Sequence, residues 1–265
     1  MKVPVYDMKG SAKGEMTVSK AFSRLHRADV IKRAVLAEQA QKRQPYGADP
    51  LAGHRTSAKY IGERSIYGSM MNKEIARKHR ITAAGFMHWK ARFTPGVVKG
   101  RKAHPPKAEK VWTMKINKKE RLMALLSAVS CTADRKLIEK RGHALGDVKH
   151  LPLVLDDKFQ ELSKSKEVVE ALNALGLEKE LERCSGKKTR AGRGKTRGRK
   201  TIRKKGPVLI VSEDKGISKA AGAIPGVDVS TVKGLNVSIL APGTQAGRLA
   251  VWTKSAVEEV EKLAS

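Results

Sequence analysis

Apolar positions fall in short runs and longer periodic stretches. Lys2–Tyr6 alternates polar and apolar, which predicts a half-buried strand. From Ala21 to Gln41 the period lengthens. Val30, Ala34, Ala37 and Gln41 share one helical face, which predicts a helix over 21–41. Asn117 with Glu120 reads as a capped helix start, opening a run, Leu122–Thr132, that is apolar on most faces and so belongs near the centre. The continuous apolar runs Leu151–Leu155 and Pro207–Val211 read as strands buried on both faces, and Gly226–Thr231 and Asn236–Leu240 offer two more. Ser165 predicts the cap of a helix that closes at Gly176. Ser255 with Glu258 predicts a capping box for a last helix that turns Ala256, Val257, Val260 and Leu263 inward. Strands separated by helical stretches imply right-handed crossovers and an α/β fold: an open, mostly parallel sheet flanked by helices.

One stretch breaks the pattern. Residues 42–110 have no sustained period and contain seven glycines. A run that long without clear elements does not belong inside a compact domain, so it predicts a long, extended basic loop projecting from the body. It holds six of the 11 aromatics: Tyr46, Tyr60, Tyr67, Phe86, Trp89 and Phe93. Aromatics interleaved with cations suit stacking on unpaired bases. The alternative is a small satellite core at the base of the loop.

Charge sharpens the division. The 265-residue chain has 55 Lys/Arg against 26 Asp/Glu, a net +29, with 40% hydrophobic residues. A compact monomer needs a net charge of only about 2–8 for solubility. Residues 42–110 hold 16 basic and 4 acidic residues, and 183–205 hold 12 basic and none acidic; each segment is +12, leaving +5 for the other 173 residues. The expected organisation is a single α/β body (1–41 plus 111–265), the basic loop (42–110), and a Gly/Arg/Lys segment (183–205) within the body. Such segments await a polyanion, with nucleic acid the first candidate. If about 10 of their cations met phosphates, log K would fall with log salt at a slope of about −7 to −9.

Other classes have little support. No apolar stretch is long enough to span a bilayer, and the first residues lack the apolar region of a secretory signal. Two cysteines, Cys131 and Cys184, exclude a disulfide framework and suit a reducing compartment. The histidines show no metal-ligand spacing, so no metal and no cofactor is expected. Gly192–Thr196 suggests a phosphate loop, but Thr189 stands where that motif needs glycine and Arg197 breaks the dinucleotide fingerprint. Cys131, within an apolar helix, reads as an inert core thiol. Asp156-Asp157 follows a strand where α/β enzymes place active sites, though helix capping explains it more simply. His104, in a basic His-Pro-Pro run, reads as an RNA-facing or turn residue. No catalytic residue is expected. The competing reading, an RNA-modifying enzyme on an α/β scaffold, needs a cofactor loop after the first strand, yet 7–14 lead into another strand-like stretch.

Six segments in order resemble one family: Asp49-Pro-Leu-Ala-Gly-His-Arg55, Gly100-Arg-Lys-Ala-His-Pro-Pro-Lys107, Ile116-Asn-Lys-Lys-Glu-Arg121, Arg190-Ala-Gly-Arg-Gly-Lys-Thr-Arg-Gly-Arg199, Pro225-Gly-Val-Asp-Val229, and Leu240-Ala-Pro-Gly-Thr to Gly-Arg-Leu249 with Val251-Trp-Thr253. The chain is similar to the fourth protein family of the large ribosomal subunit, in its archaeal form. The resemblance implies a cytoplasmic, non-enzymatic constituent of the large subunit. It would bind rRNA early in assembly, contact neighbouring large-subunit proteins, and form neither a homo-oligomer nor a membrane contact. The implied rRNA contacts in the loop are Arg43, Arg55, Lys59, Arg64, Lys73, Arg77, Lys78, Arg80, Trp89, Lys90, Arg92, Lys99, Arg101, Lys102, His104 and Lys107. In the second segment they are Lys187, Lys188, Arg190, Arg193, Lys195, Arg197, Arg199, Lys200, Arg203 and Lys204. The loop tip, near Gly62–Asn72, would help line the nascent-polypeptide exit tunnel through Arg64, Ser65, Tyr67 and Gly68. It carries an acid and several apolar groups where the family usually has a more Gly-rich, Arg-bearing turn.

Overall fold

A computed structural model describes residues 2–18, 20–146 and 148–264. Its contacts divide the chain into two compact units, Met1–Gln41 with Met114–Ser265, and Lys42–Thr113. In chain order the first unit contains β1 (Lys2–Tyr6), β2 (Ala12–Thr17), α1 (Ala28–Gln41), α2 (Lys118–Ser130), α3 (Arg135–Arg141), β3 (Leu153–Leu155), α4 (Ser165–Ala174) and α5 (Glu178–Ser185). It continues with β4 (Lys187–Thr189), β5 (Thr201–Arg203), β6 (Val208–Val211), α6 (Ile217–Gly222), β7 (Asp228–Thr231), α7 (Val237–Leu240), β8 (Ala250–Thr253) and α8 (Lys254–Ala264).

Six strands form one sheet in the order β2-β1-β3-β8-β6-β7, antiparallel only between β1 and β2. The inner strands read as continuous apolar runs because helices cover both faces, and alternate side chains supply two separate cores. Val154, Val208, Ile210, Ala250 and Trp252 pack with α1, α2 and α8. Leu153, Leu155, Leu209, Val211 and Val251 pack with α4 and α6. The open, mostly parallel sheet flanked by helices is thus the architecture.

Several local readings change. The helix predicted over 21–41 begins at Ala28, with Lys20–Ser23 a separate three-ten turn; its buried stripe ends at Ala40, and Gln41 is exposed. In α2, Leu122 and Met123 face solvent, so that helix covers one side of the sheet and is not central. Pro152 has no amide to give a ladder, and β3 starts at Leu153. Asn236–Leu240 is a helical turn, not a strand: the Glu38 carboxylate on α1 accepts from the Val237 and Ser238 amides and fixes them as a helix start. Ser165 is already helical and caps nothing, whereas Gly176 takes the left-handed conformation as expected. Ser255 also lies inside its helix. The carboxylate that receives its amide and hydroxyl, at 2.9 and 2.7 Å, is Asp157. Leu263 is exposed.

The second unit contains, among the described residues, no helix or strand, only turns and two isolated bridges, Lys59–Arg80 and Arg80–Ala91. Few side chains are buried in it; Ser69, Met70 and Ile81 are.

Candidate nucleic-acid interface

The Gly/Arg/Lys segment is a hairpin. After α5, β4 pairs antiparallel with β5, placing Lys187 opposite Arg203, Lys188 opposite Ile202 and Thr189 opposite Thr201. The connection folds on itself: the Arg190 amide donates to the Lys200 carbonyl, its Nε to the Arg199 carbonyl, and the Arg199 amide to the Gly194 carbonyl. Gly192–Thr196 lies in this connection, away from any buried strand end. Lys187, Lys188, Arg193, Lys195, Arg197, Arg199, Lys200, Arg203 and Lys204 are all exposed, with Arg190 half-buried. Like charges directly opposed across a ladder repel, so the Lys187–Arg203 rung is unfavourable until an anion comes between the two.

Two arginines hold the root of this hairpin. Glu180 is fully buried; it accepts from Arg183 Nε and Nη2 at 2.8 and 2.6 Å and from the Ala144 amide at 2.9 Å, and lies 2.6 Å from His143 Nδ1. Burial opposes ionisation of this carboxyl, but the bonds from Arg183, His143 and Ala144 outweigh it and hold its pKa at about 2. The same Arg183 Nη2 donates to the Lys205 carbonyl at 2.8 Å. On the other side, buried Arg248 donates through Nε to the Gly206 carbonyl, through Nη1 to the Ile239 carbonyl, and through Nη2 to Asp228 at 2.6 Å. Burial also opposes ionisation of Asp228, yet Arg248 and Lys205 keep its pKa below the usual carboxylate range. Arg183, Lys205 and Arg248 are thus positioning residues that charge counting does not single out. The hairpin was legible in principle: Thr and Ile flank the Gly-rich connection.

In the second unit the cations divide into braces and exposed groups. Arg80 donates to the Trp89 and Ala76 carbonyls at 2.8 and 3.0 Å; Arg92 donates to the Ala91 and Val98 carbonyls. Arg55 pairs with Asp49 at 2.6 Å. Lys78, Arg101 and Trp89 are half-buried, and Lys73 sits over the Trp89 ring. Arg43, Lys59, Arg64, Lys73, Arg77, Lys90, Lys99, Lys102, His104 and Lys107 are exposed. The segments 49–55 and 100–107 meet backbone to backbone at Gly53, whose φ is +81° and where a Cβ would lie 2.5 Å from the Arg101 nitrogen.

The aromatics divide in the same way. Phe93 packs against His54 and His79, and His79 against Tyr60, making a small satellite cluster. Tyr67 and Phe86 are 100% and 84% exposed. At 62–72 the turn buries Ser69 and Met70, bonds the Met70 amide to the Ile61 carbonyl, and leaves Arg64, Ser65 and Tyr67 outward, with Gly68 at φ +81°.

The positions weighed for catalysis have structural employment. β1 runs through the turn 7–11 into antiparallel β2, with no helix there to receive a cofactor phosphate. Asp156 accepts from the Asp157 amide and from Lys13, while Asp157 serves α8. Cys131 is buried at the end of α2, and burial pushes its thiol up to about 11. Among the described residues no helix is long and apolar enough to cross a membrane.

A family model described as "Ribosomal protein L4/L1 family" matches residues 16–263. Three archaeal relatives, each named large ribosomal subunit protein uL4, align over nearly their whole length. That of Nanoarchaeum equitans is 44% identical over 99% of this chain and 98% of its own. That of Methanosphaera stadtmanae is 40% identical over 99% and 97%, and that of Archaeoglobus fulgidus 42% over 97% and 97%. The hairpin, its Arg248–Asp228 root and the Gly53 crossing all lie inside the matched span, and the chain belongs to the ribosomal protein L4/L1 family.

Proposed function

We propose that the chain is a structural constituent of the large ribosomal subunit that binds rRNA early in assembly. Residues 42–110 act as the rRNA-penetrating loop, and the hairpin of 183–205 is a second rRNA contact. The observation that carries the reading is the Lys187–Arg203 rung, with the exposed cations around it: a surface that repels itself is built for phosphate. Exposed residues such as Arg77, Lys102, Arg193 and Arg197 meet phosphates, while Arg80, Arg92 and Arg190 shape the backbone that presents them. The turn at 62–72, with Tyr67 foremost, helps line the exit tunnel and meets the nascent polypeptide. The relatives' names support a place in the large ribosomal subunit, beside other subunit proteins.

Co-sedimentation with large subunits across a salt series, with footprinting of the rRNA, tests this. Retention at moderate salt with discrete protected rRNA segments is expected. Release at moderate salt without protection of any segment overturns it.

A further inference from the structure

Within the second unit, the chain at 43–48 runs beside 104–112. The Ala48 amide donates to the Pro106 carbonyl at 3.0 Å, and a Cβ at Gly47 would lie 2.9 Å from the Ala108 nitrogen, so only glycine allows this approach. Tyr46 stacks on Trp112 with ring centroids 5.8 Å apart and planes 19° from parallel. The Arg43 guanidinium lies 3.8 Å from the Trp112 centroid and the Lys110 ammonium 4.5 Å from it. Beside them opens a cleft of about 670 Å³, lined among others by Tyr46, His104, Pro105, Lys107, Glu109 and Trp112. Tyr46 is 55% exposed, while Trp112 Nε1 is buried without a hydrogen-bond partner among the described residues.

These features suit a flat, π-rich ligand that carries negative charge. The exposed side of Tyr46, itself backed by Trp112, and a proline wall take its faces; Lys107 and Lys110 take an adjoining phosphate. Glu109, also on the lining, offers a carboxylate acceptor to a base amino group. The volume suits one nucleotide. A free di- or triphosphate is disfavoured, because the described residues of the second unit contain no helix whose N-terminus could bind a phosphate chain. We propose that this cleft binds one unpaired base of a single-stranded RNA segment, with its phosphate. The inference rests on the RNA-binding reading above and adds to it a base-stacking subsite.

The test uses the full-length protein labelled with 5-fluorotryptophan, with the Trp112 resonance assigned through Trp112→Phe. Single-stranded oligoadenylate is compared with an abasic oligomer of equal length and charge. Trp252, fully buried, is the internal reference. Oligoadenylate is expected to shift the Trp112 resonance and to bind roughly ten-fold more tightly than the abasic strand, with Tyr46→Ala removing that preference and Tyr46→Phe keeping it. Equal affinities with an unmoved Trp112 resonance overturn the cleft and leave phosphate binding intact; no binding of either strand overturns both readings. Should Tyr46→Ala disturb folding, ultraviolet crosslinking of the unaltered protein to oligoadenylate decides. Adducts on Tyr46 or Trp112 support the proposal, and adducts confined to other residues overturn it.

Discussion

The sheet of the first unit and the turns of the second solve the same problem by opposite means. In the sheet, Leu155, Leu209, Ile210 and Trp252 are fully buried, and order follows from apolar surface removed from water on two faces. In the second unit little apolar surface is available. Order there comes from Arg80 and Arg92 reaching over the chain to backbone carbonyls, from rings packed on histidines, and from cations over rings. A chain can therefore give a segment definite shape without an oily core if its arginines serve as struts. The cost is that those arginines are lost to ligand binding, so a count of positive charge overstates the binding surface.

This contrast can be broken at several points, and the largest effect lies in the sheet. Trp252→Ala should lower the unfolding free energy by about 3–5 kcal/mol in a urea titration, since it empties the centre of one core layer. Arg248→Met comes next, at about 3 kcal/mol. It leaves the Gly206 and Ile239 carbonyls without their donor and Asp228 without its buried partner; a change within 0.5 kcal/mol would remove Arg248 as the clamp of the hairpin root. Glu180→Gln should cost about 2–3 kcal/mol at neutral pH. Its pH signature is more specific. The carboxyl titrates near 4.5 when unfolded and about 2 when folded, so its contribution is complete above about 4.5 and disappears as pH falls toward 2. The variant should flatten stability across that interval, as followed by circular dichroism.

Smaller effects separate struts from contacts. Arg80→Ala should destabilise the 76–91 region by about 1–2 kcal/mol, seen as faster amide exchange there with global unfolding unchanged. If exchange is unaltered, the second unit is not strut-built. Arg193→Ala should leave stability within about 0.5 kcal/mol and lessen the salt slope of RNA binding by about 0.7–0.9. An equal loss of slope in Arg80→Ala would erase the distinction.

The features legible in the sequence are those set by neighbours along the chain. Continuous apolar runs located β3 and β6, the stretch Gly226–Thr231 held β7, and the switch from periodic to aperiodic marked where α1 gives way to the turns. Non-local features were hidden. The groups that fix the starts of α7 and α8 are Glu38 and Asp157, about 200 and 100 residues away, so no local capping motif identified them. The strand at 250–253 runs straight into α8 with no glycine or proline between, and its residues read as a motif with no strand assigned. At the interface, composition located both basic segments. It could not separate Arg80 from Arg77, because the difference lies in which carbonyls come within reach.

The sheet order has a consequence for biosynthesis. β8, the last strand among the described residues, sits between β3 and β6 and joins β2-β1-β3 to β6-β7. Some 250 residues must leave the ribosome before the body can close. Both basic stretches therefore emerge while the two halves of the sheet are still apart. During that interval the nascent chain displays its full positive charge with no completed fold behind it, and it is then most in need of an anionic companion.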